Sequence, residues 1–404
     1  MNFIDINSFI KRKITIRKES FFKDDIQNHH EQLTREIEGS SFLVVGGAGT
    51  IGSSFVKAIL KYRPKKVVIL DTNENGLTEL VRDIRSTLNL YVPAEFITYP
   101  IDYGSTIFEK LFHKQGPFDV IANFAAHKHV RSEKDAFSIE AMFRNNVFNV
   151  EKLCKLAIKS PPKHFFCVST DKAANPVNVM GASKKIMEEV LMAYSKVLPI
   201  STARFANVAF SNGSLLQGFI ERIIKKQPLS APHDVKRYFV SPEESGQLCM
   251  IACMLGASKE VFFPKLRPDQ MLTFSDIGVN FLKEFGFDAH LCISENEAKT
   301  YADSMDSSLN KYPVYFFSSD TSGEKMYEEF VADNEESDMD RFSALGVISY
   351  ENRKPIEDIS MMTKELLKVF ELPNLEKHII LSKIKEILPN FAHVETHKNL
   401  DQKM

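Results

Sequence analysis

The stretch STDKAANPVNVMGASK, Ser169 to Lys184, concentrates side chains that could move protons. Ser169 and Thr170 offer hydroxyls, and the adjacent Asp171 and Lys172 offer a carboxyl and an amine that could serve as general acid and general base. Lys184 follows Met180 by four residues, so the two share one face of a helix. A thioether has no acidic proton and accepts only weakly. A site with Met180 at its centre must therefore draw its acid-base chemistry from Thr170, Asp171 and Lys172, or bind without reacting. An isolated Asp-Lys pair is commonly a turn cap beside a solvated lysine. This pair follows an apolar strand directly, at the carboxyl edge of a sheet where ligands bind, with Met180 and Lys184 in register.

The elements that must position these residues begin upstream. Gly46-Gly47-Ala48-Gly49-Thr50-Ile51-Gly52 follows the apolar strand FLVV and opens a helix. The glycines satisfy both Gly-x-Gly-x-x-Gly and Gly-x-x-Gly-x-x-Gly spacing, which gives a tight turn, backbone N–H groups close to a pyrophosphate and close helix-on-strand packing. Asp71 ends the second strand, where a carboxylate accepts hydrogen bonds from ribose hydroxyls and repels a 2′-phosphate. No Arg follows in DTNENG, so NAD is favoured over NADP. Asp102 ends the third strand and is placed to meet the adenine, unless it only caps a loop. Asn123 to Ala126, NFAA, supply small residues where the fourth strand passes under the cofactor, Asn123 and Ala125 among them; a well-packed strand would read the same way.

The rhythm from Phe42 onward is that of an α/β, Rossmann-like, doubly wound parallel sheet. The alternation weakens after Asn207. We read residues 1–40 as an N-terminal helical arm with a helix over HHEQLTREIEG, 41–206 as the NAD-binding domain and 207–330 as a smaller, mainly substrate-binding region interleaved with it. Residues 331–404 form a C-terminal extension, in which VADNEESDMDRF is loop-like and NLEKHIILSKIKEIL is a terminal helix packing on the chain or on a second subunit. Lys plus Arg total 51 against 53 Asp plus Glu, so no basic field marks a nucleic-acid partner. The five cysteines read as reduced thiols, and no metal-ligand spacing is evident. The start MNFIDINSFIKRK lacks an apolar core with a small-residue cleavage site, and no apolar run reaches membrane-spanning length. The expected location is cytoplasmic.

Taken in order, FLVVGGAGTIG, NFAAHKHV, STDKAANPVNVMGASK, RFANV, KRYFVSPEES, FFPK and GEKMYEEF resemble the nucleotide-sugar 4,6-dehydratases of the extended short-chain dehydrogenase superfamily over roughly residues 40–330. The resemblance is strongest to the polysaccharide-biosynthesis UDP-N-acetylglucosamine (UDP-GlcNAc) 4,6-dehydratases. Ser169 and Lys184 then stand at the superfamily's catalytic Ser and Lys, and Met180 stands at its Tyr, as in the branch that retains configuration at C5. The resemblance implies NAD as cofactor and oxidation at C4, loss of water across C5 and C6, and return of hydride to C6. Lys172 becomes the base at C5, with a pKa lowered toward the working range. Asp171 becomes the acid at the C6 hydroxyl, Thr170 the partner of the C4 oxygen, and Lys184 the holder of the nicotinamide ribose. It also implies substrate contacts from Lys128, His129, Asn207, Gly213, Ser214 and Arg237, the last suited to a diphosphate. Arg204 and Lys265 could be structural. The segment SSDTSGEK departs from the usual Arg-Pro-Gly-Glu-Lys, which puts contacts from Glu324 and Lys325 in doubt. A homo-oligomer, with a dimer favoured, is implied. A nucleotide-sugar epimerase would share fold and cofactor without needing the Asp171-Lys172 pair, and a non-catalytic NAD-binding regulator is suggested only by Met180.

Overall fold

A computed structural model of the chain describes residues 4–305, 310–319, 328–351 and 354–395. Runs rich in β-branched and aromatic residues, which suit a pleated surface, form strands β1 (Ser41–Val45), β2 (Lys66–Leu70), β3 (Glu95–Tyr99), β4 (Val120–Asn123), β5 (His164–Val168) and β6 (Ile200–Ala203). They pair in parallel in the order 3-2-1-4-5-6. This is the doubly wound Rossmann order, with its switch point between β1 and β4. Val45 lies opposite both Leu70 and Asn123, and Asn123 opposite Cys167, so the carboxyl ends of these strands are level.

Alternate residues face opposite layers, as the strand period of two requires. Leu43, Val45, Val68, Leu70, Ile121, Phe165 and Cys167 enter one core. Phe42, Val44, Val67, Ile69, Val120, Ala122, Phe166 and Val168 enter the other. The second core is closed by α1 (Thr50–Leu60) and α3 (Pro242–Leu255). A capping box from Ser241 and Glu244, with Pro242 in the first turn, starts α3. The first core is closed by α2 (Val179–Tyr194), α4 (Ile356–Phe370) and α5 (Lys377–Ile387).

The sheet does not stop where the sequence pattern does. Strand β7 (Glu260–Pro264) runs parallel to β6, and β9 (Leu345–Ser349) pairs antiparallel to β7, with β8 (Ser337–Asp338) at the edge. The acidic stretch read as a loop thus contributes an edge strand, and the C-terminal extension completes the main sheet. Helix α5 buries Ile380 and Ile384 in the chain's own core. At the other end, the expected helix over HHEQLTREIEG runs His30–Ile37, and Gly39, at φ +70°, follows it.

A third core joins helices Leu215–Ile224 and Phe274–Glu284 to a parallel sheet of Leu229–Pro232, Lys311–Phe317 and Asp288–Leu291. Phe9, Ile10 and Ile14 insert into it, so the first part of the N-terminal arm packs on the substrate-side region. Arg17 pins the arm to α3 through Glu244, at 2.9 Å. The five cysteines are unpaired and buried. Among the described residues no helix is long and apolar enough to cross a membrane.

Candidate active site

Gly46 follows β1 with φ +75°, and a methyl group there would sit 2.4 Å from the amide nitrogen of Ala125. A methyl on Gly52 would sit 2.3 Å from the Gly46 carbonyl oxygen, so these two glycines are demanded by packing. Gly49 differs. It precedes α1 with φ −69°, and a methyl there meets nothing nearer than the Gly46 oxygen at 3.5 Å. Its missing side chain leaves room at a helix N-terminus, where an anion is stabilised by unpaired N–H groups and the helix dipole. Asp71 braces this turn: its carboxylate accepts from Ala48 N and Asn73 N, each at 2.9 Å.

The contrast yields a first prediction. Gly49→Val should leave folding intact and abolish dinucleotide binding, whereas Gly52→Val should lower the thermal midpoint even without ligand. Calorimetric titration with NAD and thermal scans of both variants test this; unchanged NAD affinity in the Gly49 variant would overturn it.

A cavity of about 320 Å³ opens at the carboxyl ends of β1, β4, β5 and β6. It gathers Gly46, Gly49, Thr50, Ile51, Gly52, Lys128, Thr170, Asp171, Lys172, Met180, Lys184 and Asn207. The loop after Asn207 lies across its mouth: Asn212 N donates to Thr50 Oγ1 at 2.9 Å, and Lys128 Nζ donates to the Asn212 carbonyl at 2.8 Å.

Several expected residues lie outside its lining. Asp102 ties its own turn by accepting from Gly104 N. Asn123 is buried and accepts from Ala125 N at 3.0 Å, while Phe124 and Ala126 face the cavity in place of Asn123 and Ala125. His129 sits against Gly213, where a methyl would be 3.0 Å from its Nε2, and Ser214 caps helix Leu215–Ile224. Lys265 donates to the carbonyls of Met339 and Phe342, and Arg204 is fully buried in ion pairs, so both are structural. Glu324 and Lys325 lie outside the described residues.

The stretch from Thr170 to Lys184 is held by local hydrogen bonds. Thr170 starts a short 3-10 turn, Asp171–Ala173, and its hydroxyl donates to Asp171 Oδ1 at 2.7 Å. Asn178 caps α2 by accepting from Gly181 N at 2.7 Å. A methyl on Gly181 would lie 2.5 Å from the Lys172 carbonyl oxygen, so the glycine lets the start of α2 approach the turn that carries Lys172. Met180 and Lys184, one helical turn apart, are both buried. Burial pushes the Lys184 ammonium down, with Cys167 and Glu188 opposing. Its Nζ donates to the Val168 carbonyl at 2.9 Å.

The Ser169 hydroxyl donates at 2.6 Å to Glu188, itself paired with Arg204, while Ser169 lines the cavity beside Thr170. One expectation needs correction: Lys172 is not tuned downward. Burial acts to lower its pKa, but Asp171 and Glu328 outweigh burial and raise it. Its Nζ lies 3.0 Å from Asp171 Oδ2 and 3.8 Å from Glu328 Oε1. Glu328, which sequence reasoning missed, also lies 3.6 Å from Nε of the buried Arg237. Arg237 therefore stands behind Lys172, outside the cavity lining.

One candidate metal group occurs among the described residues: His290, Cys292 and Glu297 bring ligand atoms within 4.8 Å of one another. Each is engaged locally, Glu297 accepting from Ile293 N, the Cys292 thiol donating to the His290 carbonyl and the His290 ring stacking on Tyr301.

Fold and cavity together define a Rossmann-type protein whose glycine turn shares a cavity with an Asp-Lys pair at the carboxyl edge of the sheet. Residues 42–349 match the polysaccharide biosynthesis protein family, and the chain belongs to it. It is 29% identical to an uncharacterized membrane protein, MJ1061, of Methanocaldococcus jannaschii, covering 85% of this chain and 96% of that one. It is 25% identical to a UDP-N-acetylglucosamine 4,6-dehydratase (inverting) of Campylobacter jejuni, covering 58% of this chain and 69% of that protein. UDP-glucose 4-epimerases of three Rickettsia species match over a similar stretch. The structure of DesIV, a dTDP-glucose 4,6-dehydratase from Streptomyces venezuelae with NAD and TYD bound, superposes with a TM-score of 0.55 at 18% identity, covering 72% of this chain and 88% of that one.

Proposed function

We propose that the protein is an NAD-dependent UDP-GlcNAc 4,6-dehydratase that retains configuration at C5 and works in the cytoplasm. The observation that carries this reading is the Asp171-Lys172 pair, hydrogen-bonded at 3.0 Å in a cavity shared with the glycine turn and Met180. An epimerase has no use for an acid and a base at C5 and C6. The Gly46–Gly52 turn, with space at Gly49 and Asp71 at the end of β2, fits a dinucleotide, and these residues with Lys184 would hold it. Bound NAD would supply a hydride acceptor at C4 and a hydride donor at C6.

The remaining chemistry belongs to the chain. As folded, Lys172 is held as a cation against the Asp171 carboxyl group, the reverse of what elimination needs. Transfer of one proton along their hydrogen bond yields a neutral amine and a neutral carboxylic acid. Lys172 then removes the C5 proton, acidified by the C4 ketone, and Asp171 protonates the departing C6 hydroxyl, which leaves as water. Lys172 returns a proton to the face of C5 from which one was taken, and solvent resets the pair. Thr170 holds the C4 oxygen and passes the C4 hydroxyl proton to water, since Asp171 already carries the proton from Lys172.

Incubation with UDP-GlcNAc should give a product lighter by one water, without net consumption of added NAD. In deuterium oxide, solvent deuterium should appear at C5 and none at C6. A product of unchanged mass would mean epimerisation, solvent deuterium at C6 would exclude internal hydride return, and an L-arabino 4-ketosugar as primary product would overturn retention.

A further inference from the structure

We infer that Glu328 is a positioning residue for this reaction, a buried carboxyl that sets the charge of Lys172 and with it the pH range of the enzyme. The inference rests on Lys172 being the base proposed above. The Glu328 side chain is 1% exposed and reaches Lys172 from a distant part of the chain. Its Oε2 accepts from Tyr238 N at 3.1 Å, while Oε1 has no hydrogen-bond partner and points between Lys172 Nζ, at 3.8 Å, and Arg237 Nε, at 3.6 Å. A buried carboxyl with half its acceptors unmet is costly. Its placement is intelligible as an electrostatic partner of the two cations.

The groups facing it are Asp171 and Lys172 on the 3-10 turn and Arg237 and Tyr238 on the neighbouring strand segment. Burial, reinforced by Asp171, pushes the Glu328 carboxyl up to about 8, with Lys172 and Arg237 opposing. Burial and the Glu328 charge together push the Tyr238 hydroxyl up, Asp269 adding to them.

The consequence for catalysis follows from sign. Ionised Glu328 stabilises Lys172 as a cation and so resists the transfer of its proton to Asp171. Protonated Glu328 removes that resistance without breaking the Asp171-Lys172 hydrogen bond. A neutral isostere should therefore lower the pKa of Lys172. The reactive form of the Asp171-Lys172 pair carries as many protons as the ion pair, so its share is set by the charge on Glu328: the rate should fall as Glu328 ionises near pH 8, and the glutamine variant should lack that fall.

The test compares Glu328→Gln, which keeps an oxygen for Tyr238 N, with Glu328→Asp, which keeps the charge. Two readouts are taken from each purified full-length variant: the pH profile of UDP-GlcNAc dehydration, and the pH dependence of Lys172 acetylation by acetic anhydride, followed by peptide mass spectrometry. In Glu328→Gln the Lys172 labelling midpoint should fall by about one pH unit or more, the size expected for removal of an adjacent charge, and the decline of the rate above about pH 8 should be lost. In Glu328→Asp both should stay near wild type even where turnover drops. A Lys172 labelling midpoint unchanged in Glu328→Gln, or shifted equally in both variants, would overturn the inference. A labelling shift without dehydration by the wild type would leave Glu328 as the group that charges Lys172 and would reject the proposed reaction.

Discussion

Lys172→Ala and Asp171→Asn should each lower the turnover of UDP-GlcNAc dehydration by on the order of 10²-fold or more, the usual size of a lost general base or acid. The two side chains are hydrogen-bonded to each other, so the losses should not add. Once either partner is gone, the proton exchange that creates both reactive forms is gone too, and the double variant should be scarcely worse than the single ones. NAD content should stay near wild type, because the turn at Gly46–Gly52 lies on a different strand end. Met180→Leu provides the contrast. Met180, in the first turn of α2, is 3% exposed and packs in the core, and Leu matches its volume, so activity should remain within roughly tenfold. Steady-state kinetics on the four variants decide the matter. Near-normal dehydration by Lys172→Ala and Asp171→Asn would show that other groups run the elimination, and an inactive, well-folded Met180→Leu would reject a packing role.

How far the site could be read in advance depended on how local its causes were. The turn at Gly46–Gly52 and the place of Asp71 after β2 were legible because strand, glycine spacing and the end of the next strand are set by short stretches of chain; that Asp71 braces the turn was not. The Asp171-Lys172 pair was legible for the same reason, since it follows β5 directly. Its charge state was not, because Glu328 arrives from a separate segment and nothing in GEKMYEEF distinguishes a buried glutamate from a solvated one. The bond from the Ser169 hydroxyl to Glu188 was not legible, because it depends on α2 and on Arg204, just after β6, meeting in space. Asn123 and Ala125 were read as cofactor-facing, whereas Phe124 and Ala126 line the cavity. The strand ends at Asn123, whose side chain turns inward to take the Ala125 N–H. In the C-terminal part, LGVIS carried a strand signal that its acidic surroundings hid; only pairing with β7 brings it into the main sheet.

The Arg204 cluster makes the non-local part of the fold testable. Its guanidinium, fully buried, donates to Glu188 at 3.0 and 2.7 Å, to Glu335 at 2.5 and 2.8 Å and to the Phe330 carbonyl at 2.8 Å. It therefore ties α2, which carries Met180 and Lys184, to the segment leading into β8. Arg204→Ala should destabilise the protein by about 3–5 kcal/mol, because it strands two carboxylates rather than because a strong pair is lost. The pH dependence separates these causes. In the wild type, burial alone would raise the Glu335 carboxyl, but Arg204 and Lys185 hold it down to about 2. That contribution is present above the ordinary carboxyl range and fades as pH falls from about 4 toward 2. Without Arg204, burial dominates and the Glu335 pKa rises above its unfolded value, so the variant loses stability as pH increases. The gap between wild type and Arg204→Ala in denaturant unfolding should thus be widest near pH 8 and narrow toward pH 5. Adding Glu188→Gln and Glu335→Gln to the variant should recover part of the loss and flatten its pH dependence. An equal gap at both pH values, unrelieved by the two glutamines, would show that Arg204 acts through packing alone.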